Sequence, residues 1–124
     1  MLLDTHIVLW WLAGNRERLG AALAATLRGR ADEIVVSAVA VWEASIKRRL
    51  GKLEPPLPDL LERLERAETS IMPISARHAD HAGGLPLHHR DPFDRLLVAQ
   101  AQLERLPIVT ADRNIRRYDV ETIG

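Results

Sequence analysis

Ile34-Val35-Val36 is the stretch that decides the fold of this 124-residue chain. Three consecutive β-branched residues without polar alternation predict a strand, Glu33 to Ser37, that is buried on both faces. Helical apolar spacing predicts a helix on each side of it, over Glu17 to Arg28 and over Ala38 to Leu50. A strand buried on both faces between two helices indicates a parallel sheet.

The same alternation of short strands and longer helices continues towards both ends of the chain. The remaining predicted strands are Met1 to Thr5, Ile71 to Ile74, Ile108 to Thr110 and a short one around Val120. The remaining predicted helices are His6 to Ala13, Asp59 to Ala67, Ala76 to Ala82 and Phe93 to Leu106. Because Pro73 removes a backbone donor, its strand is expected at an edge of the sheet. We therefore expect a single α/β domain over residues 1–124, with a mostly parallel central sheet flanked by helices.

Composition excludes several classes of function. The chain is 47% hydrophobic and 27% charged, as in globular proteins, and it has no cysteine for disulfides or thiolate metal ligands. Seventeen basic and seventeen acidic residues cancel, so contact with a nucleic acid requires a local basic patch. The apolar runs are far shorter than the ~20 residues of a membrane span, and no basic segment precedes the first one. We expect no membrane segment and no signal peptide, and hence a cytoplasmic protein.

Acidic residues follow the ends of several predicted strands, where parallel sheets bind their ligands. Asp4 ends the first strand, Asp112 follows the strand Ile108 to Thr110, and Glu43 and Asp94 lie on helices beyond strand ends. Asp4 and Glu43 have apolar neighbours, so their charges are costly unless they are paired or bound to a cation. Converging carboxylates repel one another, and a hard cation such as Mg²⁺ or Mn²⁺ removes that repulsion. The sequence predicts a metal site of these four acids.

Structural interpretations of the same acids remain open. Asp4 could cap the helix that follows it, Asp94 could complement a helix dipole, and Asp112 could be a turn residue. Asp91 is better explained as an N-cap before a proline than as a ligand. Glu43 is the hardest to explain structurally, because its neighbours are so apolar.

Two other groups of residues have competing interpretations. His78 and His81, at helical spacing, and the later pair His88-His89 could form a zinc site, but without cysteine we favour solvated histidines. The basic run at the end of the predicted helix either forms a solvated face or contacts RNA phosphates; it consists of Lys47, Arg48, Arg49 and Lys52.

The motifs as a set resemble those of the PIN-domain ribonucleases, and within that family the VapC toxins of bacterial type II toxin–antitoxin modules. The similar segments are Leu2 to His6, Ser37 to Glu43, Asp91 to Arg95 and Thr110 to Asp112. The resemblance extends from Leu2 to about Tyr118. It implies a Rossmann-like fold, a Mg²⁺- or Mn²⁺-dependent endoribonuclease activity, and a VapB-like antitoxin that blocks the site.

The resemblance also implies roles for individual residues. Asp4, Glu43, Asp94 and Asp112 match the acids of the four motifs, which hold the metal and carry catalysis, and Thr110 matches an accompanying hydroxyl residue. The implied reaction is hydrolysis of RNA phosphodiester bonds by a metal-activated water.

Other protein classes also place acidic residues at strand ends. A phosphatase of the haloacid dehalogenase type needs a second aspartate where this chain has His6. A receiver-type signalling module needs a lysine after its last core strand, whereas Lys47 and Lys52 lie mid-chain. A catalytically inactive PIN-like interaction domain would not need all the acids.

The first predicted helices indicate self-association. Trp10-Trp11 looks exposed, and adjacent helical residues point in different directions, so at most one of the pair is expected in the core. The apolar helices up to Leu27 offer more apolar surface than one thin domain covers, and we expect a homodimer.

Overall fold

The strands form a parallel sheet with the first strand at its centre. The computed structural model describes residues 1–54 and 56–124, and the strands in these ranges are β1 (Leu2–Leu3), β2 (Val35–Ser37), β3 (Ser70–Met72), β4 (Ile108–Val109) and β5 (Thr122–Ile123). Their order is β3-β2-β1-β4-β5, and every neighbouring pair is parallel. The predicted α/β fold is confirmed, and the strand before Pro73 lies at an edge as expected.

Helices connect and cover the strands. Those of the described residues are α1 (Thr5–Leu12), α2 (Arg16–Leu19), α3 (Ala21–Gly29), α4 (Ala38–Arg49), α5 (Leu60–Arg66), α6 (Ala76–Gly83) and α7 (Pro92–Glu104), with 3₁₀ turns at Ala31–Glu33 and Ile115–Arg117. None of the helices in this part of the chain has the length and apolar character required to cross a membrane.

Two expected element bounds are wrong. The segment Glu17 to Arg28 is not one helix, because Gly20 has φ 81° and ψ 151°, which interrupts the helical backbone between α2 and α3. Glycine adopts this positive φ without the steric cost that a Cβ brings. The last strand lies at Thr122–Ile123, beyond the expected position around Val120.

Each face of the sheet has its own core. Successive strand side chains point to opposite faces, so Leu3, Val36 and Val109 pack on one side with residues of α1 and α3, while Leu2 and Ile108 pack on the other with residues of α7. Both residues of β1 are fully buried. Burial on both faces explains why the strand sequences are continuous apolar runs.

Trp10 and Trp11 of α1 look exposed from the sequence, but neither is exposed in the structure. Trp10 and Trp11 are both half-buried, and both pack against the core that contains Leu3. Neither belongs to the buried residues that form this core, so the expectation that at most one of them would enter it is not contradicted. Neighbouring residues on a helix can both contact a core when the helix lies across its edge, since a broad apolar stripe spans about 100°.

Three central strands place their carboxyl ends at one edge of the sheet. Asp4 follows β1 and caps α1, Ser37 ends β2 and caps α4, and Thr110 follows β4. Parallel pairing in register, with Leu3 opposite both Val36 and Val109, aligns these ends.

Candidate functional site

Asp4 is a buried carboxylate at the carboxyl end of β1, with 4% of its surface exposed. Its Oδ1 accepts a hydrogen bond from the Ile7 N–H at 3.0 Å, and its Oδ2 accepts one from the Thr110 hydroxyl. Burial raises the pKa of Asp4, although these two hydrogen bonds act in the opposite direction. Asp4 therefore caps α1 and also places its carboxyl group at the carboxyl end of β1.

Thr110 links the ends of β1 and β4. Besides donating to Asp4, its Oγ1 accepts the Asp112 N–H at 3.0 Å. The Asp112 Oδ1 accepts the Asn114 N–H at 2.7 Å, so this aspartate also orders its own loop. Partial burial acts to raise the pKa of Asp112, but hydrogen bonds from His89 and the Asn114 N–H outweigh it and lower the pKa.

Glu43 reaches the same edge from the second turn of α4 and is buried. Its Oε1 accepts a 2.6 Å hydrogen bond from the Thr5 hydroxyl, and its Oε2 lies 2.8 Å from the Lys47 ammonium. Because Thr5 follows Asp4 directly, this bond ties α4 to the end of β1. Thr5 had no role in the sequence interpretation, although its place beside Asp4 in the first motif was a usable signal.

Asp94 lies in the first turn of α7 and completes the acidic group. Its Oδ2 is 3.0 Å from the Nε2 of His89, which is also 3.0 Å from the Oδ2 of Asp112. Burial raises the pKa of Asp94 to about 8, and the charges that add to this effect are those of Asp91, Glu43, Asp4 and Asp112. The acids predicted from the sequence thus lie close enough to repel one another.

Asp91 serves the N-terminus of α7. Its Oδ1 accepts the Phe93 N–H at 2.9 Å, with Pro92 at the first helical position. The N-cap interpretation of Asp91 is confirmed. The backbone N–H of Asp91 donates to the Nδ1 of His89 at 3.1 Å, so this residue also fixes the histidine ring.

The interpretation of the histidines as solvated is wrong for two of them. His78 is 4% exposed, and its Nε2 lies 2.9 Å from the Oε1 of Glu104. His89 has 14% of its side chain exposed and lies among the acids of the site. Helical spacing cannot reveal these partners, because Glu104 is 26 residues from His78 and Asp112 is 23 residues from His89.

The alternative zinc site of four histidines is not formed by the described residues. Within them, one group of potential ligands has atoms that all lie within 4.8 Å of one another, and it consists of His89, Asp94 and Asp112. A donor set dominated by carboxylate oxygens fits a hard divalent cation better than zinc. The nearby positive charge of Lys47 is already paired with Glu43. These residues therefore fit a cation of the Mg²⁺ class.

The predicted phosphate contacts have different surroundings. Lys47 is paired with Glu43, and the Nη1 of Arg48 donates to the Pro58 carbonyl at 3.1 Å. Arg49 and Lys52 are exposed at the end of α4 and just beyond it. Arg49 and Lys52 are therefore better placed than Lys47 and Arg48 to contact a phosphate group from solvent.

A cleft of about 370 Å³ opens beside the acids. It is lined by Asp4, His6, Trp10, Arg18, Ala111 and Asp112. Arg18 supplies a positive charge to a cleft that is also lined by the carboxylates of Asp4 and Asp112. The sequence interpretation missed Arg18, since it lies on the short helix α2 and outside any motif.

Almost the whole chain matches a known protein family. The model of the PIN domain family matches residues 1–121. Ribonuclease VapC22 from Mycobacterium tuberculosis is 31% identical over 120 residues, which are 95% of this chain and 91% of that protein. Ribonuclease VapC16 from the same organism is 38% identical over 60 residues, or 44% of this chain and 43% of that protein.

Solved structures share the fold. The DNA-bound VapBC structure from Salmonella typhimurium aligns with a TM-score of 0.71 at 16% identity, covering 98% of this chain and 95% of that one. VapBC2 from Rickettsia felis, bound to a promoter DNA fragment, aligns with a TM-score of 0.68 at 17% identity, covering 98% and 96%.

Proposed function

Because this chain belongs to the PIN-domain family, we propose that it is a metal-dependent endoribonuclease, the toxin of a type II toxin–antitoxin pair. The observation that carries the proposal is the convergence of Asp4, Glu43, Asp94 and Asp112 at the carboxyl edge of the sheet. The name of the relative VapC22, a ribonuclease, supports RNA as the substrate.

Mg²⁺ or Mn²⁺ is the proposed cofactor, held by the four carboxylates. When bound there, a divalent cation supplies a water nucleophile at neutral pH and offsets the negative charge that grows on the phosphate oxygens. In its absence Asp94, with a pKa of about 8, holds a proton at neutral pH. That proton leaves when a positive charge compensates for the neighbouring carboxylates.

Hydroxyl groups and a lysine orient the ligands. Thr110 fixes one oxygen of Asp4, and Thr5 fixes one oxygen of Glu43. The ammonium of Lys47 balances the charge of Glu43 in the metal-free protein. Such partners hold the carboxylates in place before the substrate arrives, which is the usual task of groups behind metal ligands.

RNA selectivity has to come from binding, because hydrolysis by water does not use the 2′-hydroxyl as the nucleophile. The proposed phosphate contacts are Arg18 in the cleft, Arg49 at the end of α4 and Lys52 just beyond it. We expect a single-stranded or looped substrate, whose bases are accessible to a protein surface.

The proposed partner is a VapB-like antitoxin. The solved structures that share the fold are named as VapBC assemblies. A depression of about 330 Å³ lies between α1, α2 and α3, with Trp11, Leu19, Ala24 and Leu27 in its lining. This apolar surface suits a docked protein segment. A basic antitoxin side chain that reaches the acids would compete with the cation for the same oxygens.

A cleavage assay tests the proposal. The purified chain is incubated with labelled RNA, and with DNA of the same sequence, in Mg²⁺, in Mn²⁺ and in EDTA. We expect cleavage of RNA with either cation, loss of cleavage in EDTA, and recovery when the cation is restored. Cleavage that persists in EDTA would contradict the metal role, and the absence of cleavage under all conditions would favour an inactive interaction domain.

A further inference from the structure

The imidazole of His89 lies between two of the acids. Its Nε2 is 3.0 Å from the Oδ2 of Asp94 and 3.0 Å from the Oδ2 of Asp112. The Nε2–H donates a hydrogen bond to Asp112, with the Asp94 oxygen equally close. The ring edge therefore occupies the space between two carboxylates that would hold a cation.

Hydrogen bonding determines which ring nitrogen of His89 carries the proton. The backbone N–H of Asp91 donates to the Nδ1 at 3.1 Å, so Nδ1 is an acceptor and carries no hydrogen. The proton of the ring is then on Nε2, which faces the carboxylates. The backbone of His89 is also anchored, since its N–H donates to the hydroxyl of Tyr118 at 3.0 Å and that hydroxyl donates to the Pro86 carbonyl at 2.7 Å.

This arrangement is the reverse of that found around a metal-ligating histidine. A ligating histidine usually donates its second ring N–H to a carboxylate or carbonyl oxygen. In this chain the second nitrogen faces the N–H of Asp91, which is a donor. If Nε2 of His89 ligated a metal, the ring proton would move to Nδ1 and point at another hydrogen.

We propose that His89 is a stand-in for the cation and competes with it, instead of ligating it. In the metal-free protein the Nε2–H satisfies Asp112 and lies beside Asp94 in place of a positive ion. A cation that binds these oxygens has to displace that contact, so His89 weakens cation binding. The inference rests on the proposed function and deepens it, because it names a residue that regulates the cation affinity of the same metal centre.

The change in cation affinity on removal of His89 distinguishes a competitor from a ligand, because the two roles predict changes in opposite directions. Binding of Mn²⁺ alone is measured by calorimetry on the full chain, as the wild type and as the His89→Ala variant. We expect His89→Ala to bind Mn²⁺ about three- to tenfold more tightly, the change that the loss of one competing hydrogen bond gives. A ligand role predicts weaker binding, and that result, or an unchanged affinity, would overturn the proposal.

Two further variants control for indirect effects. His88→Ala removes the neighbouring imidazole, which makes an edge-to-face contact with Tyr118 and lies outside the group of close ligand atoms. The Mn²⁺ affinity of this variant should match that of the wild type. His89→Gln retains an N–H donor without the ring, and its affinity should return towards the wild-type value. Tighter binding by His88→Ala equal to that of His89→Ala would contradict a specific competition.

Thermal unfolding gives a second readout and detects a variant that fails to fold. Without metal, His89→Ala should melt at a lower temperature than the wild type, because Asp94 and Asp112 lose their shared partner. Saturating Mn²⁺ should then raise its melting temperature by more than that of the wild type. A smaller rise would overturn the proposal. Absence of Mn²⁺ binding by the wild type itself would refute the metal centre, and with it this inference, which distinguishes that failure from an error about His89 alone.

Discussion

Two threonine hydroxyls hydrogen-bond to buried acids near the carboxyl ends of the strands. Thr110 donates to Asp4 while accepting the Asp112 N–H, and Thr5 donates to Glu43. Both threonines are buried, so water does not replace these bonds when a hydroxyl is removed. The carboxylates therefore depend on side chains that carry no charge.

Replacing Thr110 with valine should destabilise the protein. The change keeps the shape but leaves the Oδ2 of the buried Asp4 carboxylate without a donor and the Asp112 N–H without an acceptor. We expect the free energy of unfolding to fall by about 1–3 kcal/mol. Urea denaturation of the metal-free wild type and variant measures this change in the free energy of unfolding.

Thr69→Val is the matched control. The Thr69 hydroxyl is buried and makes no hydrogen bond among the described residues. Its removal should not lower the free energy of unfolding, because no hydrogen bond is lost and an unpaired buried hydroxyl is itself unfavourable. If both variants lost the same stability, the hydroxyl of Thr110 would have no special role.

The pKa of Asp94 predicts how stability depends on pH. Burial and the surrounding carboxylates raise this pKa to about 8. Between its usual range and about 8, the folded protein retains a proton that the unfolded chain releases, so the free energy of unfolding falls as pH rises through this window. The lowered pKa of Asp112 acts in the opposite direction, but at lower pH. Thermal unfolding in EDTA between about pH 6 and about pH 8.5 should show the loss.

Asp94→Asn tests the origin of that slope. An asparagine side chain does not titrate, so the variant should lose less stability than the wild type over the same pH range. Equal slopes in the two proteins would assign the pH dependence to other groups.

The four acids could be recognised from the sequence, but the roles of Thr5 and His89 beside them could not. Asp4 and Glu43 were visible because a carboxylate among apolar residues needs a reason to be there. Thr5 had only its place beside Asp4 as a signal, and His89 was interpreted as solvated, since hydroxyl and imidazole groups are common on surfaces. Their roles depend on contacts across 38 and 23 residues of sequence, respectively.

At the scale of elements, the end of α4 should contribute to RNA binding. Arg49→Ala and Lys52→Ala should weaken binding, and each should reduce the slope of affinity against salt by about 0.7 if it loses one phosphate contact. Fluorescence anisotropy on the Asp94→Asn background avoids cleavage during the measurement.

Arg30→Ala is the control for that experiment. Arg30 lies before β2, at the opposite edge of the sheet, and is paired with Glu33 at 2.8 Å. Its loss should leave the salt slope unchanged. A change as large as that of Arg49→Ala would indicate a general effect of charge.

Elements were predictable where a continuous apolar run or a strong cap defined them. Ile34-Val35-Val36 gave β2, and Asp91 with the following proline gave the start of α7. The break at Gly20 was not predictable, because alanine and leucine on both sides favour one continuous helix. The break is made by the positive φ of Gly20.

At the scale of the whole molecule, the homodimer remains a prediction. Trp10 and Trp11 are half-buried, but exposed apolar side chains occur at Trp42, Leu50 and Leu87. Such groups suit an interface between copies. Static light scattering at micromolar concentration should give the mass of a dimer, and a monomer mass would contradict it.

The central claim is that Asp4, Glu43, Asp94 and Asp112 form one cation site that cuts RNA. The rate of Mg²⁺-dependent RNA cleavage by Asp94→Asn, compared with that of Asp91→Asn, tests it most directly. Asp94→Asn should lose more than about a hundredfold in rate, since even groups behind metal ligands are worth about 10- to 100-fold. Asp91→Asn should stay close to the wild type, because asparagine caps a helix about as well as aspartate. Circular dichroism confirms that both variants are folded. Wild-type cleavage by Asp94→Asn, or complete loss with Asp91→Asn, would contradict the account.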